Sequence, residues 1–216
     1  QSRCAATVEM RMTDDVRFVE ETHQYFINNV EYPPVSTVTG FFTDYSRVPR
    51  ATLELKRQIG KATHKAIELY SHGELDVETV DGAVLPYLES WIRFVAVKPL
   101  KVIAAERIVY SKKHRVAGTL DLVVEFDEEP GVFWLPDAKC TYEMSAVTAL
   151  QTGAYQVLWN ENNEPKVTKR AGIQLKPDGS IAEFYPYDRI GNKNDFGIFL
   201  NALNCYRWAR NNGITT

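Results

Sequence analysis

The sequence predicts a mixed α/β domain in which helices flank a central β-sheet, and three observations predict it. Apolar residues recur at helical intervals from Arg50 to Ser71. Three runs rich in β-branched and aromatic residues follow between Val102 and Ala138. A further helical periodicity from Glu143 then leads to two more strand-like runs. With 216 residues the chain suits one domain with elaborations, at about 150 residues per domain. We read residues 1–216 as that domain, with an N-terminal β-hairpin extension over about residues 1–49.

From Arg17 to Tyr32, short apolar runs alternate with Glu20, Glu21, Asn28 and Asn29, the pattern of a hairpin with polar turns that Pro33 and Pro34 then end. The first long helix is expected over Arg50–Ser71, with Leu53, Leu55, Ile59, Ala62, Ala66, Ile67 and Tyr70 on its apolar face and Gly73 as its stop. A second is expected over Ala83–Val97, where Val84, Leu88, Trp91, Ile92 and Val95 recur before Pro99. Strands are expected at Val102–Tyr110, Ala117–Phe126 and Val132–Ala138. A helix over Glu143–Asn160 precedes strands at Thr168–Leu175 and Ile181–Tyr187, joined by a turn at Pro177, Asp178 and Gly179. The last helix runs over Asp195–Arg210, with Phe196, Phe199, Leu200, Leu203, Tyr206 and Trp208 mainly facing the core.

Composition narrows the function classes. Hydrophobic residues make up 44% and charged residues 25%, enough apolar material for a sizeable core. No apolar run approaches the roughly 18 residues of a membrane span, and no basic segment followed by an apolar stretch opens the chain, so an intracellular protein is expected, in the cytoplasm or in an organelle if a targeting segment has been removed. Cys4, Cys140 and Cys205 are scattered, which argues against a disulfide scaffold and a structural zinc site. The formal charge of −3 gives no support for nucleic-acid coating through net charge, so a DNA partner requires local basic clusters.

Chemistry concentrates in two segments, Gly118-Thr119-Leu120-Asp121 in one expected strand and Pro136-Asp137-Ala138-Lys139 at the end of the next. A hairpin brings Asp121 towards Asp137, and alternation along a strand puts Asp137 and Lys139 on one face. Two carboxylates that share a magnesium ion beside an ammonium group suit phosphodiester hydrolysis, because the cation neutralises charge on phosphate oxygens and acidifies water. A surface ion pair is the plainer use of Asp137 and Lys139. The surrounding residues tip the balance: His64 on the first long helix, Glu106 on the strand before Asp121, and Gln151 and Tyr155 one turn apart on the helix after Lys139. Glu68, one turn beyond His64, is a weaker candidate. Arg50, Lys56, Arg57, Lys61 and Lys65 share the helix of His64, while Lys112, Lys113 and Arg115 fall in the turn before Asp121, so both clusters are expected to flank the acids and meet phosphates. Phe41, Phe42 and Tyr45 are expected chiefly in core packing, with stacking on unpaired bases as the alternative.

In this order, Gly60 to His64, Glu106, Gly118 to Asp121, Asp137 to Lys139 and Gln151 to Tyr155, the sequence resembles the PD-(D/E)XK nucleases, and among them the RecB-like and phage-type exonucleases. Those enzymes carry a helical Gly-x-x-x-His, a strand Glu, Gly-x-x-Asp, Asp/Glu-x-Lys and Gln-x-x-x-Tyr. The resemblance covers about Ile59 to Tyr155. Thr22-His23-Gln24-Tyr25 and Pro34-Val35-Ser36-Thr37-Val38 are also similar to the entry segment of phage-type and mitochondrial genome maintenance exonucleases. The resemblance implies a restriction-endonuclease-like fold. It implies that His64, Asp121, Asp137 and the Ala138 carbonyl hold Mg2+, for which Mn2+ substitutes, and that Lys139 assists catalysis. Glu106 would reach a second metal or orient its neighbours, and Gln151 and Tyr155 would support the site or the DNA. No iron–sulfur cluster is implied, since that branch needs four cysteines and the chain has three. The expected activity is a metal-dependent DNA exonuclease acting at ends or flaps and preferring single-stranded DNA. An endonuclease of the same superfamily and a non-catalytic DNA-binding domain are the alternatives.

Overall fold

The computed structural model describes residues 14–188 and 190–214; Cys4 and the start of the expected N-terminal extension lie outside them. Strands β1 (Val16–Val19), β2 (Gln24–Ile27) and β3 (Val30–Tyr32) form a small antiparallel sheet. The extension therefore holds a third strand beyond the expected hairpin. The cause is Asn28-Asn29, which joins β2 to β3 with φ of 50° and 65°, the left-handed pair a two-residue hairpin turn needs and Asn tolerates. Pro33 and Pro34 close the sheet as expected, and a helix follows that sequence reading missed, α1 (Val35–Thr39), which buries Val35 and Val38. Its five residues are too few for a helical period to register.

The central sheet has five strands in the order β4 (Leu100–Ser111), β5 (Val116–Phe126), β6 (Phe133–Lys139), β7 (Lys169–Gln174) and β8 (Glu183–Pro186). All neighbours are antiparallel except β6 and β7, which run parallel because helix α4 (Val147–Asn162) carries the chain across between them. Helices α2 (Arg50–His72) and α3 (Leu85–Val97) cover one face. There Ala66, Leu88, Trp91 and Phe94 pack on Leu122, Val124, Phe126 and Ile173. Helices α1, α4 and α5 (Asp195–Asn211) cover the other, where Leu158, Phe199 and Leu203 meet Leu120, Val123 and Leu135. The fold is thus an α/β arrangement of a mixed sheet between helices, as the sequence predicts. Among the described residues no helix is long and apolar enough to cross a membrane.

Helix α2 stops where expected. Gly73 takes φ 71°, and the amides of Gly73 and Glu74 donate to Tyr70 and Leu69 oxygens at 3.0 and 2.9 Å, so the last carbonyls are satisfied. Its apolar face is shorter than its period suggests: Leu55 is 56% exposed, because the first half of the helix extends past the sheet. Trp208 at the end of α5 is likewise 64% exposed rather than in the core. Phe41, Phe42 and Tyr45 are each about half exposed, which overturns the core-packing expectation for them.

Two irregularities shape the sheet around the acids. The β5–β6 ladder pairs only Val124 with Trp134 and Glu125 with Phe133, after which the two strands part. On β4, Glu106 falls between the pairs Ala105–Leu122 and Arg107–Leu120, and its backbone is left-handed with φ 45°. A carboxylate residue held there, where a side chain costs about 1 kcal/mol, is a strained position of the kind found at functional sites.

Candidate functional site

Where β5 and β6 part, the Ala138 amide has lost its strand partner, and the Asp121 carboxylate takes it: the amide donates to Asp121 Oδ2 at 2.8 Å. The Ala138 carbonyl is held from α2, since His64 Nε2–H donates to it at 2.9 Å. That bond turns His64 Nδ1 towards two carboxylates, Asp121 Oδ1 at 3.3 Å and Glu106 Oε1 at 3.5 Å. The gap between two strands is therefore spanned by one imidazole and one carboxylate, each tied to the backbone of Ala138 on β6. Ile67 and Glu68 of α2 line the small cleft beside them, with Ala105 and Leu122.

One ligand atom from each of His64, Glu106 and Asp121 lies within 4.8 Å of the others, a grouping able to hold a cation. Glu106, for which sequence reading left two roles open, thus joins the converging set. Asp137 faces Lys139 instead, with Lys139 Nζ 2.5 Å from its Oδ2. The two share a strand face as alternation requires, while Ala138 between them enters the α2–α3 core. The ammonium approaches as an ion without hydrogen-bond alignment, so both Asp137 oxygens are buried and accept no hydrogen bond. A fully buried carboxylate in that state is costly, because one ammonium neighbour replaces its hydration only in part.

The electrostatics follow from burial and these neighbours. Asp137 is pushed up to about 6 by burial and by the Asp121 charge, against the pull of Lys139. Burial also acts upward on Asp121, but the His64 charge and hydrogen bond, with Lys139, hold its carboxyl below the usual range. Burial would lower His64, yet the Asp121 charge and the bonds to Asp121 and Glu106 carry it well above its usual value. Lys139 stays above its ordinary value despite burial, through the charges of Asp137 and Asp121. It is therefore a cation at neutral pH, equipped to attract an anion rather than to accept a proton.

The remaining expected residues divide. Tyr155 is 3% exposed and packs on Gly118, where a Cβ would lie 2.7 Å from the ring. Of its two expected roles, support of the site fits this burial and direct contact with DNA does not. Gln151, one turn earlier and half-buried, lies beside its hydroxyl. Lys61 is ion-paired to Glu20, Lys65 to Glu68 and Lys112 to Asp14, and Lys113 and Arg115 are exposed. The cluster of Lys112, Lys113 and Arg115 does not adjoin the acids, contrary to expectation. It turns the chain from β4 into β5, and Arg115 is some 20 Å along β5 from Asp121 at about 3.3 Å per residue.

Three residues to which sequence reading gave no role in the site also belong to this neighbourhood. Tyr25, 1% exposed, bonds Thr119 through its hydroxyl at 2.9 Å and ties the small sheet to the strand of Asp121. Met144 and Tyr187 meet over Gly172, the register partner of Asp137 on β7. Only the Gly172 position hints at the last two, and it acquires meaning once the β6–β7 register is known. Comparison of the chain with protein-family models and with curated proteins finds no match.

Proposed function

We propose that this protein is a divalent-metal-dependent nuclease of the PD-(D/E)XK type that hydrolyses phosphodiester bonds in DNA. The observation that carries the reading is Asp137: a buried carboxylate without a hydrogen-bond partner, beside a lysine kept charged and next to the acid–imidazole group of Asp121, Glu106 and His64. Its one close charged neighbour is Lys139, and neither of its oxygens has an aligned donor. Oxygen donors with one imidazole suit Mg2+ or Mn2+. His64, Asp121, Glu106 and Asp137, with the Ala138 carbonyl, are the groups that would hold the ion.

When bound, such a cation offsets charge on phosphate oxygens and lowers the pKa of water. The protein's own groups do the positioning. Lys139 attracts a scissile phosphate and stabilises the added negative charge of the transition state. Asp121 keeps the β6 peptide fixed, and through it the line from Asp137 to Lys139. His64, bonded to the Ala138 carbonyl by Nε2, presents Nδ1 to the acids in one orientation. The paired lysines on α2 can exchange exposed carboxylates for DNA phosphates, since exposed ion pairs are worth only about 0–1 kcal/mol.

Purified protein mixed with a labelled linear oligonucleotide and Mg2+ is expected to cleave it, and EDTA or Lys139→Ala to reduce the rate at least about a hundredfold. Cleavage that survives both changes rules the mechanism out. A covalently closed circular single strand in parallel separates an exonuclease, which leaves it intact, from an endonuclease.

Glu106 permits a second test, on stability. Glycine has no Cβ to clash at φ 45°, so Glu106→Gly is expected to be about 1 kcal/mol more stable than Glu106→Ala, while both lose Mn2+ affinity. Equal urea midpoints for the two variants would refute the strain.

A further inference from the structure

Among the described residues, only three buried side-chain polar atoms lack a hydrogen-bond partner: Asp137 Oδ1, Asp137 Oδ2 and Tyr187 Oη. Native proteins leave few such atoms, so an acceptor pair and a donor left open in one place call for a shared explanation. Their proximity follows from the sheet. Asp137 on β6 is paired in parallel register with Gly172 on β7, and a Cβ built on Gly172 would lie 2.8 Å from Tyr187 Oη. Parallel register partners project to the same face, about 5 Å apart, so the hydroxyl occupies the space next to the Asp137 side chain. Glycine at 172 is what leaves room for it.

The rest of Tyr187 is anchored away from the site. Its amide donates to the Arg170 carbonyl at 2.9 Å, and the Arg170 guanidinium lies 5.9 Å from its ring centre. Arg170 is itself fixed by Asp195, Ala149 and Asn192. The Thr148 hydroxyl approaches Oη without reaching hydrogen-bond geometry. The ring is thus held from below while its hydroxyl, bonded to no group here, lies on the same sheet face as a carboxylate that has no aligned donor.

We infer that Tyr187 is a positioning residue for Asp137: its phenolic O–H, not bonded to the carboxylate in this arrangement, is the donor placed to engage it and orient it between Lys139 and the acids of β4 and β5. The inference deepens the nuclease reading and rests on it for its catalytic consequence, but the pairing of the two side chains stands apart from any activity. A carboxylate oriented by a second group keeps one rotamer, so Tyr187 acts through Asp137 rather than on phosphate directly.

The experiment combines a double-mutant cycle with steady-state kinetics. Wild type, Tyr187→Phe, Asp137→Asn and the double variant are unfolded thermally in EDTA at pH 8, and DNA cleavage by wild type and Tyr187→Phe is measured with Mg2+. The midpoint shift of the double variant is expected to differ from the sum of the single shifts by about 2 °C or more, as for side chains in contact. Additive shifts overturn the inference. Tyr187→Phe is expected to lower kcat about tenfold or more, with KM for DNA within about twofold of wild type. Unchanged kcat, or loss through KM alone, removes the catalytic role. Gly172→Ala should reproduce the kcat loss, because its Cβ displaces the ends of two flexible side chains, Met144 and Tyr187, rather than backbone. Tyr185→Phe, whose hydroxyl bonds Gln174 and Glu183, should not. If wild type fails to cleave while the cycle remains non-additive, the nuclease reading falls and the Tyr187–Asp137 pairing remains.

Discussion

Asp137→Asn is expected to abolish Mg2+-dependent cleavage and, in the same protein, to raise stability at pH 8 in the presence of EDTA by on the order of 1–3 kcal/mol. The two effects share a cause. Asp137 is buried, its oxygens accept no hydrogen bond, and burial together with the Asp121 charge lifts its pKa from the usual 3.8 to about 6. The folded state therefore holds this proton more tightly than the unfolded chain. The stability it contributes is fully present below pH 3.8 and is lost as pH rises through about 6. Asparagine keeps the shape without the charge, so the difference in unfolding free energy between variant and wild type should grow across that window and level off above it. Mn2+ should shrink the difference by stabilising wild type alone. Urea titrations at pH 4, 6 and 8 check all of this, and a variant less stable than wild type at pH 8 would show that Lys139 satisfies the carboxylate by itself.

The second large effect lies beneath the site. Arg170 and Asp195, each 7% exposed in the side chain, pair at 2.9 Å, and Arg170 also donates to the carbonyls of Ala149 and Asn192 at 2.7 and 3.1 Å. One guanidinium thereby joins β7, α4 and the start of α5. Asp195→Ala leaves that charge buried without its partner, at an expected cost of about 3–5 kcal/mol in urea unfolding. Exchanging both partners for apolar residues, Arg170→Met with Asp195→Leu, should recover most of the loss. A single variant within 1 kcal/mol of wild type, with an unchanged m-value, would mean that water replaces the carboxylate at no cost. Because the Arg170 guanidinium also lies beside the Tyr187 ring, cleavage by Asp195→Ala should fall even at temperatures where the protein remains folded.

Most of the frame was legible in the linear chain because its signals are local. Helices α2, α3, α4 and α5 announce themselves by apolar spacing and by Gly73 and Pro99, and strands β4 to β8 by β-branched and aromatic runs between turn residues. The exceptions, Leu55 and Trp208, sit on the right elements but beyond the reach of the sheet, and periodicity says nothing about where a neighbour ends. Asp121, Asp137 and Lys139 could be selected in advance because a hairpin and the two-residue alternation of a strand constrain them.

What the sequence by itself determined is thus the order of elements, their faces, and the choice of acids, imidazole and lysine, since each of these depends on residues close together in the chain. Tertiary structure alone decided that β5 and β6 part, that Glu106 joins His64 and Asp121 while Asp137 turns to Lys139, and that Gly172 admits Tyr187 beside it. Those outcomes depend on strand register and on groups brought together from as far apart as α2 and the residue that follows β8. Burial then sets their charges, because loss of water amplifies every neighbour a carboxylate has.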